Sequence, residues 1–135
     1  MSQAPKSMIE RISANEGVFD FNNAPNDIKL HVYTLAIKEI LTILQMGSPR
    51  TLSGRTLIEF EDSLSEIIDG FMDLSAGPEG SNVMLKKIQH NINEAYSHLS
   101  TALLIYKEKE KSIEYFKHLQ SARGKLFEAL SQLET

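Results

Sequence analysis

Residues 25–46 read PNDIKLHVYTLAIKEILTILQM, from Pro25 to Met46. At about 100° per residue, Leu30, Tyr33, Ile37, Ile40, Leu41 and Leu44 line one side of a helix. Ile28, Val32, Leu35, Ala36, Ile43 and Met46 line a second side almost opposite the first. Polar residues keep only the narrow sector of His31, Thr34, Lys38, Thr42 and Gln45, with Lys29 and Glu39 as interruptions elsewhere. A helix that is apolar on two sides either sits at the centre of a core or reserves one side for a partner.

Outward from this segment, two breaker-rich stretches, Gly47 to Gly54 and Ser75 to Asn82, separate further helical patterns. After the first, Leu57, Phe60, Leu64, Ile67, Phe71 and Leu74 recur at alternating steps of three and four, as in an amphipathic bundle helix. After the second, Ser81 or Asn82 can cap a long helix carrying Leu85, Ile88, Ile92, Ala95, Leu99, Ala102 and Tyr106. A last pattern holds Ile113, Phe116, Leu119, Gln120, Arg123, Leu126, Phe127, Leu130 and Leu133. A single helix over 83–134 would exceed about 70 Å, too long for a compact bundle of this mass. The Lys107-Glu-Lys-Glu-Lys111 run is therefore read as a solvated break near 107–112. Gly70 and Gly124, each costing about 1 kcal/mol relative to Ala inside a helix, mark either a close helix approach or a tolerated residue.

Residues 1–25 differ in character. Met8, Ile9 and Ile12 suit one short apolar turn, and Val18, Phe19 and Phe21 form a compact hydrophobic cluster beside Gly17, Asn22 and Asn23. The expected architecture is all-α: an antiparallel up-and-down four-helix bundle over 26–135, preceded by a short hydrophobic N-terminal arm that docks by a few anchors.

The chain has 135 residues, about one domain with a single core. With 41% hydrophobic and 24% charged residues it has the balance of a folded globular protein. A formal charge of -4 lacks the cationic field on which nonspecific nucleic-acid binding depends, so no nucleic-acid partner is expected. The absence of cysteine removes disulfides, thiol nucleophiles and thiolate metal sites. No run of about 18 apolar residues predicts a membrane span, and the polar start MSQAPKSMIERISANEG is unlike a secretory signal, so a cytoplasmic location is expected.

The order Pro25, Asn26, Asp27, Ile28, Lys29, Leu30, His31, Val32, Tyr33, followed by Ala36, Ile37, Lys38 and Ile40, resembles the opening helix signature of the bacterial flagellin-export chaperone family (FliS-like). There the pattern is roughly Pro, any, Glu, Leu, any, Leu, any, Leu, Tyr, then a small residue and an aliphatic pair. The sequence match covers about 16 residues, whereas the order of arm and helices is similar over nearly the whole chain. Departures are clear: Thr34 and Leu35 stand where a small or polar pair with Gly is usual, and Ile88-Gln-His-Asn-Ile92 replaces a Leu-Tyr-Asp-Tyr string. Ala24 stands where a hydroxyl cap precedes the Pro, although Asn23 offers a cap one residue earlier.

The resemblance implies binding without chemistry: a cytosolic chaperone, not an enzyme, that holds the C-terminal segment of flagellin, prevents premature polymerisation and presents it to the flagellar export apparatus. No cofactor is implied. The expected partner-binding floor is Ile28, Val32, Leu35, Ala36 and Ile43, covered by Val18, Phe19 and Phe21 when no client is bound. On this reading Val32→Asp weakens client binding and spares the fold. The bland alternative is a generic helical adaptor or homo-oligomerisation module in which both sides of the helix are simply buried.

Catalytic readings find little. A di-metal bundle site needs Glu-x-x-His on each of two helices, and none occurs. Glu94 with His98, and Glu114 with His118, have spacing four and are read as exposed helix pairs on solvated faces, as is the His90, Glu94, His98 series. Histidine phosphotransfer at His118 is the sharper alternative, but Ser121 and Ala122 occupy the places of the Lys and Gly that follow a phosphorylated His. Neither a phosphate-binding Gly-Lys-Ser/Thr loop nor a Gly-x-Ser-x-Gly elbow is present.

Overall fold

The computed structural model describes residues 7–46, 52–75, 82–109 and 112–134. Among them the chain is all-helical, with no strand: α1 (Met8–Asn15), a single 3-10 turn (Phe21–Asn23), α2 (Asn26–Met46), α3 (Gly54–Ser75), α4 (Asn82–Lys109) and α5 (Ile113–Leu133).

Several boundaries have a local chemical cause. Ser7 caps α1 by accepting the Glu10 N–H at 3.2 Å, and its hydroxyl donates to the Glu10 carboxylate at 3.4 Å, so Ser7-Met-Ile-Glu10 has the spacing of a capping box. α1 stops at Gly17, whose φ of 80° favours glycine. There the Gly17 N–H reaches the Ala14 carbonyl at 3.0 Å and the Val18 N–H reaches that of Ser13 at 2.9 Å, a Schellman ending. α2 opens behind Pro25, whose carbonyl accepts the Lys29 N–H at 3.0 Å. The Asn23 side chain does not cap α2 but donates to Asp20 at 2.8 Å. α3 starts within the first breaker stretch, because Ser53 accepts the Thr56 N–H at 3.1 Å. Residues 47–51 of that stretch and 76–81 of the second, Ser81 among them, lie outside the described residues. The expected break after Tyr106 is real: α4 ends at Lys109, and Ser112 caps α5 by accepting the Tyr115 N–H at 3.3 Å.

The core forms where these helices turn their apolar stripes inward. Leu57, Phe60, Leu64, Ile67 and Phe71 of α3 are each at most 1% exposed. At roughly 1.5–3 kcal/mol per fully buried large apolar side chain, that stripe alone outweighs any intrinsic helix preference of the segment. α2 adds Tyr33, Ile37, Ile40, Leu41 and Leu44, and α4 adds Ile88, Ile92, Ala95, Leu99 and Ala102. α5 departs from expectation. Its buried face is Tyr115, Leu119, Ala122, Leu126 and Ala129, while Ile113 and Phe127 are 74% and 57% exposed. Small Ala122 and Ala129 give the backbone close approach, and bulk alone does not reveal such a face.

Neighbouring helices are matched residue by residue. α4 and α5 share the most extensive contact, with Asn91 donating to Gln132 at 3.0 Å, Lys125 paired with Glu94 at 3.3 Å and the Tyr106 and Tyr115 rings 5.7 Å apart. Ser100 of α4 donates to Glu61 of α3 at 2.5 Å. α2 meets α5 through Lys38 and Glu134 at 2.7 Å. It meets α3 at Gly70, where a Cβ would lie 2.1 Å from the Tyr33 hydroxyl, so only glycine leaves room for that ring. Gly124 has nothing within 4 Å of its notional Cβ and is the tolerated kind. No helix among the described residues is long and apolar enough to cross a membrane.

Candidate functional site

The second apolar side of α2 is occupied by α1. Arg11 forms a two-pronged ion pair with Glu39, and Glu16 pairs with His31 at 3.1 Å. His31, Leu35 and Glu39 follow one another at steps of four, so these pairs bracket the stripe and set α1 antiparallel to α2. Beneath them Met8, Ile9 and Ile12 are at most 6% exposed, matching the i, i+1, i+4 spacing of one helical face. α1 also touches α3, where Ser7 and Met8 border a groove with Ile58, Glu59, Asp62 and Ser63. The Ser63 hydroxyl, buried there, donates to its own helix at the Glu59 carbonyl, 2.8 Å away, and so presents no unmet hydrogen bond to the arm.

Within the expected floor, Val32 and Ala36 are fully buried, Leu35 and Ile43 are partly buried against the core, and Ile28 is half-buried. The expected cover is distributed differently. Val18 is half-buried; Phe21 packs edge-on to Tyr33 with ring centroids 5.4 Å apart; and Phe19 is 84% exposed. The anchors of the arm are therefore Met8, Ile9 and Ile12, on the helix that precedes the aromatic cluster. Serine and glutamate three apart, followed by a glycine at 17, were the sequence signal for a helix there.

The electrostatics of this docking are mixed. Glu39 holds the Arg11 guanidinium more firmly protonated than usual, chiefly through their hydrogen bond. On the α3 side, burial and the nearby Glu10 charge push the Glu66 carboxyl up. Glu10 and Glu66 line the same cleft with Ser13, Val18 and Phe21. Exposed ion pairs of the first kind contribute only about 0–1 kcal/mol each. The arm is thus held mainly by three apolar side chains and opposed by one carboxylate pair.

The histidines do not lie as the spacing suggested. Glu94 pairs with His90 at 2.7 Å and with Lys125, not with His98. Those contacts hold the Glu94 carboxylate below its usual range, Lys125 contributing most. His98 and His118 are half-buried and meet across the α4–α5 seam. Among the described residues, no group of three or more His, Cys, Asp or Glu is arranged to hold a metal ion. No protein-family model, curated protein or solved structure matches the chain.

Proposed function

We propose that the chain is a protein-binding chaperone of the flagellin-export type, in which α2 to α5 form an antiparallel up-and-down four-helix bundle that takes an amphipathic helical segment of a client. The contacts of 91 with 132 and 61 with 100 each pair an early position on one helix with a late one on its neighbour, and Leu44 near the end of α2 borders the same pocket as Phe116 near the start of α5, which supports that topology. The observation that carries the function is α1 itself. A separate amphipathic helix already lies along α2 from His31 to Glu39, which supports the reading that the side with Ile28, Val32, Leu35, Ala36 and Ile43 accepts a helix laid along it. Eight residues form a marginal helix in isolation, and so short an occupant is replaceable by a longer one. The flagellin C-terminal segment is the client that the resemblance of residues 25–40 suggests, with the flagellar export apparatus as a second partner. Phe19, exposed on the connection from arm to bundle, is positioned to touch a client or that apparatus.

The test is a titration of the purified chain with the C-terminal 40 or so residues of flagellin from the same organism. A one-to-one complex with gained helicity is expected, because a client disordered alone orders as it binds. Absence of binding at micromolar concentration defeats the flagellin reading. Self-association is the second reading, favoured by the exposure of Leu104, Ile113 and Phe127 on α4 and α5. Sedimentation that shows a dimer dissociated by Phe127→Lys would support it.

A further inference from the structure

Two of the chain's four histidines face each other where nothing in the binding site requires them. The Nδ1 atoms of His98 on α4 and His118 on α5 are 3.0 Å apart, with ring centroids at 5.3 Å and planes inclined by 36°. In such a contact one neutral imidazole donates N–H and the other accepts, and the two Nδ1 atoms face each other nearly head-on. The helices hold them there independently of the pair. On one side the seam is fixed by Asn91 with Gln132 and by Glu94 with Lys125, and on the other by the packed Tyr106 and Tyr115 rings.

A transition-metal ion bound by imidazole has metal–nitrogen distances of about 2.0–2.1 Å. Two such bonds at about 90–110° to one another place their nitrogens about 2.9–3.4 Å apart, by the distances just given. The observed separation falls in that range, and the half-exposed rings each turn by about 40° to aim their Nδ1 lone pairs at an ion set to one side of the line between them. We propose that His98 and His118 are a two-histidine chelate for a divalent transition-metal ion, with Cu2+ the tightest and Zn2+ and Ni2+ weaker, following the general affinity order for nitrogen sites. On binding, the donor imidazole moves its proton from Nδ1 to Nε2 through solvent. Both Nδ1 lone pairs then form bonds to the ion, and no net proton is released. Glu94, already engaged by His90 and Lys125, does not join them, so water completes the coordination at this half-exposed position. Mg2+ and Ca2+, which require oxygen ligands, are not held. The bound ion clips α4 to α5 and raises the stability of the folded chain, because the unfolded chain does not present the pair.

The full-length chain is titrated with Cu2+, Zn2+ and Mg2+ while its affinity, stoichiometry and melting temperature are followed. The expected result is one tight Cu2+ per chain with a raised melting temperature, and no response to Mg2+. His98→Gln and His118→Gln should each weaken that site by about tenfold or more, since loss of even an outer-shell partner costs this much. His90→Gln should leave it intact. Unchanged Cu2+ binding in either site variant, or an equal loss in His90→Gln, overturns the proposal. Zn2+ added below one equivalent to the unaltered chain gives a second reading that does not depend on the variants folding. The proposal requires the ring resonances of His98 and His118 to move first, and prior movement of those of His31 or His90 rejects it.

Discussion

Gly70 and Gly124 occupy the interiors of two helices and call for opposite substitutions. A methyl at 70 collides with the Tyr33 ring, whose hydroxyl, Cζ and Cε2 would all fall within 2.7 Å of it. Gly70→Ala therefore displaces a core aromatic and should cost about 1–3 kcal/mol, the range for overpacking. Gly124→Ala meets open space and should gain about 1 kcal/mol from helix propensity and lost unfolded-state freedom. Urea denaturation of the two variants checks both signs. Burial also pushes the Tyr33 phenol up to about 12, with Glu66, Asp73 and Asp69 adding to it. A tyrosine whose pKa is raised on folding contributes fully below its unfolded value of about 10 and loses that contribution as pH climbs to the folded value. Stability should fall between pH 10 and 12, and part of that fall should vanish in Tyr33→Phe. Tyr115 is a simpler case: its buried hydroxyl has no hydrogen-bond partner among the described residues, and burial raises its pKa too. Tyr115→Phe removes an unsatisfied group and should stabilise the chain by up to about 1 kcal/mol in the same urea assay.

At the scale of elements, α1 is the weakest part of the assembly. It has three buried large apolar side chains against the five of α3, and its flanking ion pairs are exposed. Ile9→Asp places a charge at a position of 0% exposure and should undock α1 while α2 to α5 persist. Amide exchange would show it as lost protection over residues 8–15 with protection retained over 57–71; loss at both would make α1 an integral part of the core. The sequence reading located α2, α3 and α4 because their large apolar residues recur with helical period, and the break near 107–112 followed from length together with the charged run that interrupts the apolar pattern. It placed the face of α5 in part: Leu119 and Leu126 are buried and Phe116, Leu130 and Leu133 pack against the core, but Ala122 and Ala129 bury completely with little hydrophobic signal, while Ile113 and Phe127 carry much and stay exposed. The arm was legible in part. The apolar turn of Met8, Ile9 and Ile12 is readable from its spacing, whereas the full helix around it is announced by Ser7 and Glu10, and the exposure of Phe19 is not readable from its bulk. The His98–His118 contact was not legible at all, since spacing along one helix says nothing about a partner on the next.

For the whole molecule, the two apolar sides of α2 resolve into unequal commitments. One side, with Tyr33, Ile37 and Ile40, is sealed by α3 and α5; the other is covered by a short helix from the same chain. Burial of Val32 at 0% exposure changes how that second side is probed, because Val32→Asp would disturb packing as well as any client contact. Leu35, only partly buried, separates the two effects better. If the proposed client takes the place of α1, closure by the arm lowers apparent affinity in proportion to the fraction of open chains. Ile9→Asp, which opens the arm in the full chain, should then strengthen binding of the flagellin C-terminal segment. An arm closed in nine chains of ten corresponds to a gain of about tenfold by that relation. Leu35→Asp should weaken binding in the same titration while circular dichroism remains that of the folded chain. If Ile9→Asp instead abolishes binding with the bundle intact, α1 is part of the client's surface and not its competitor.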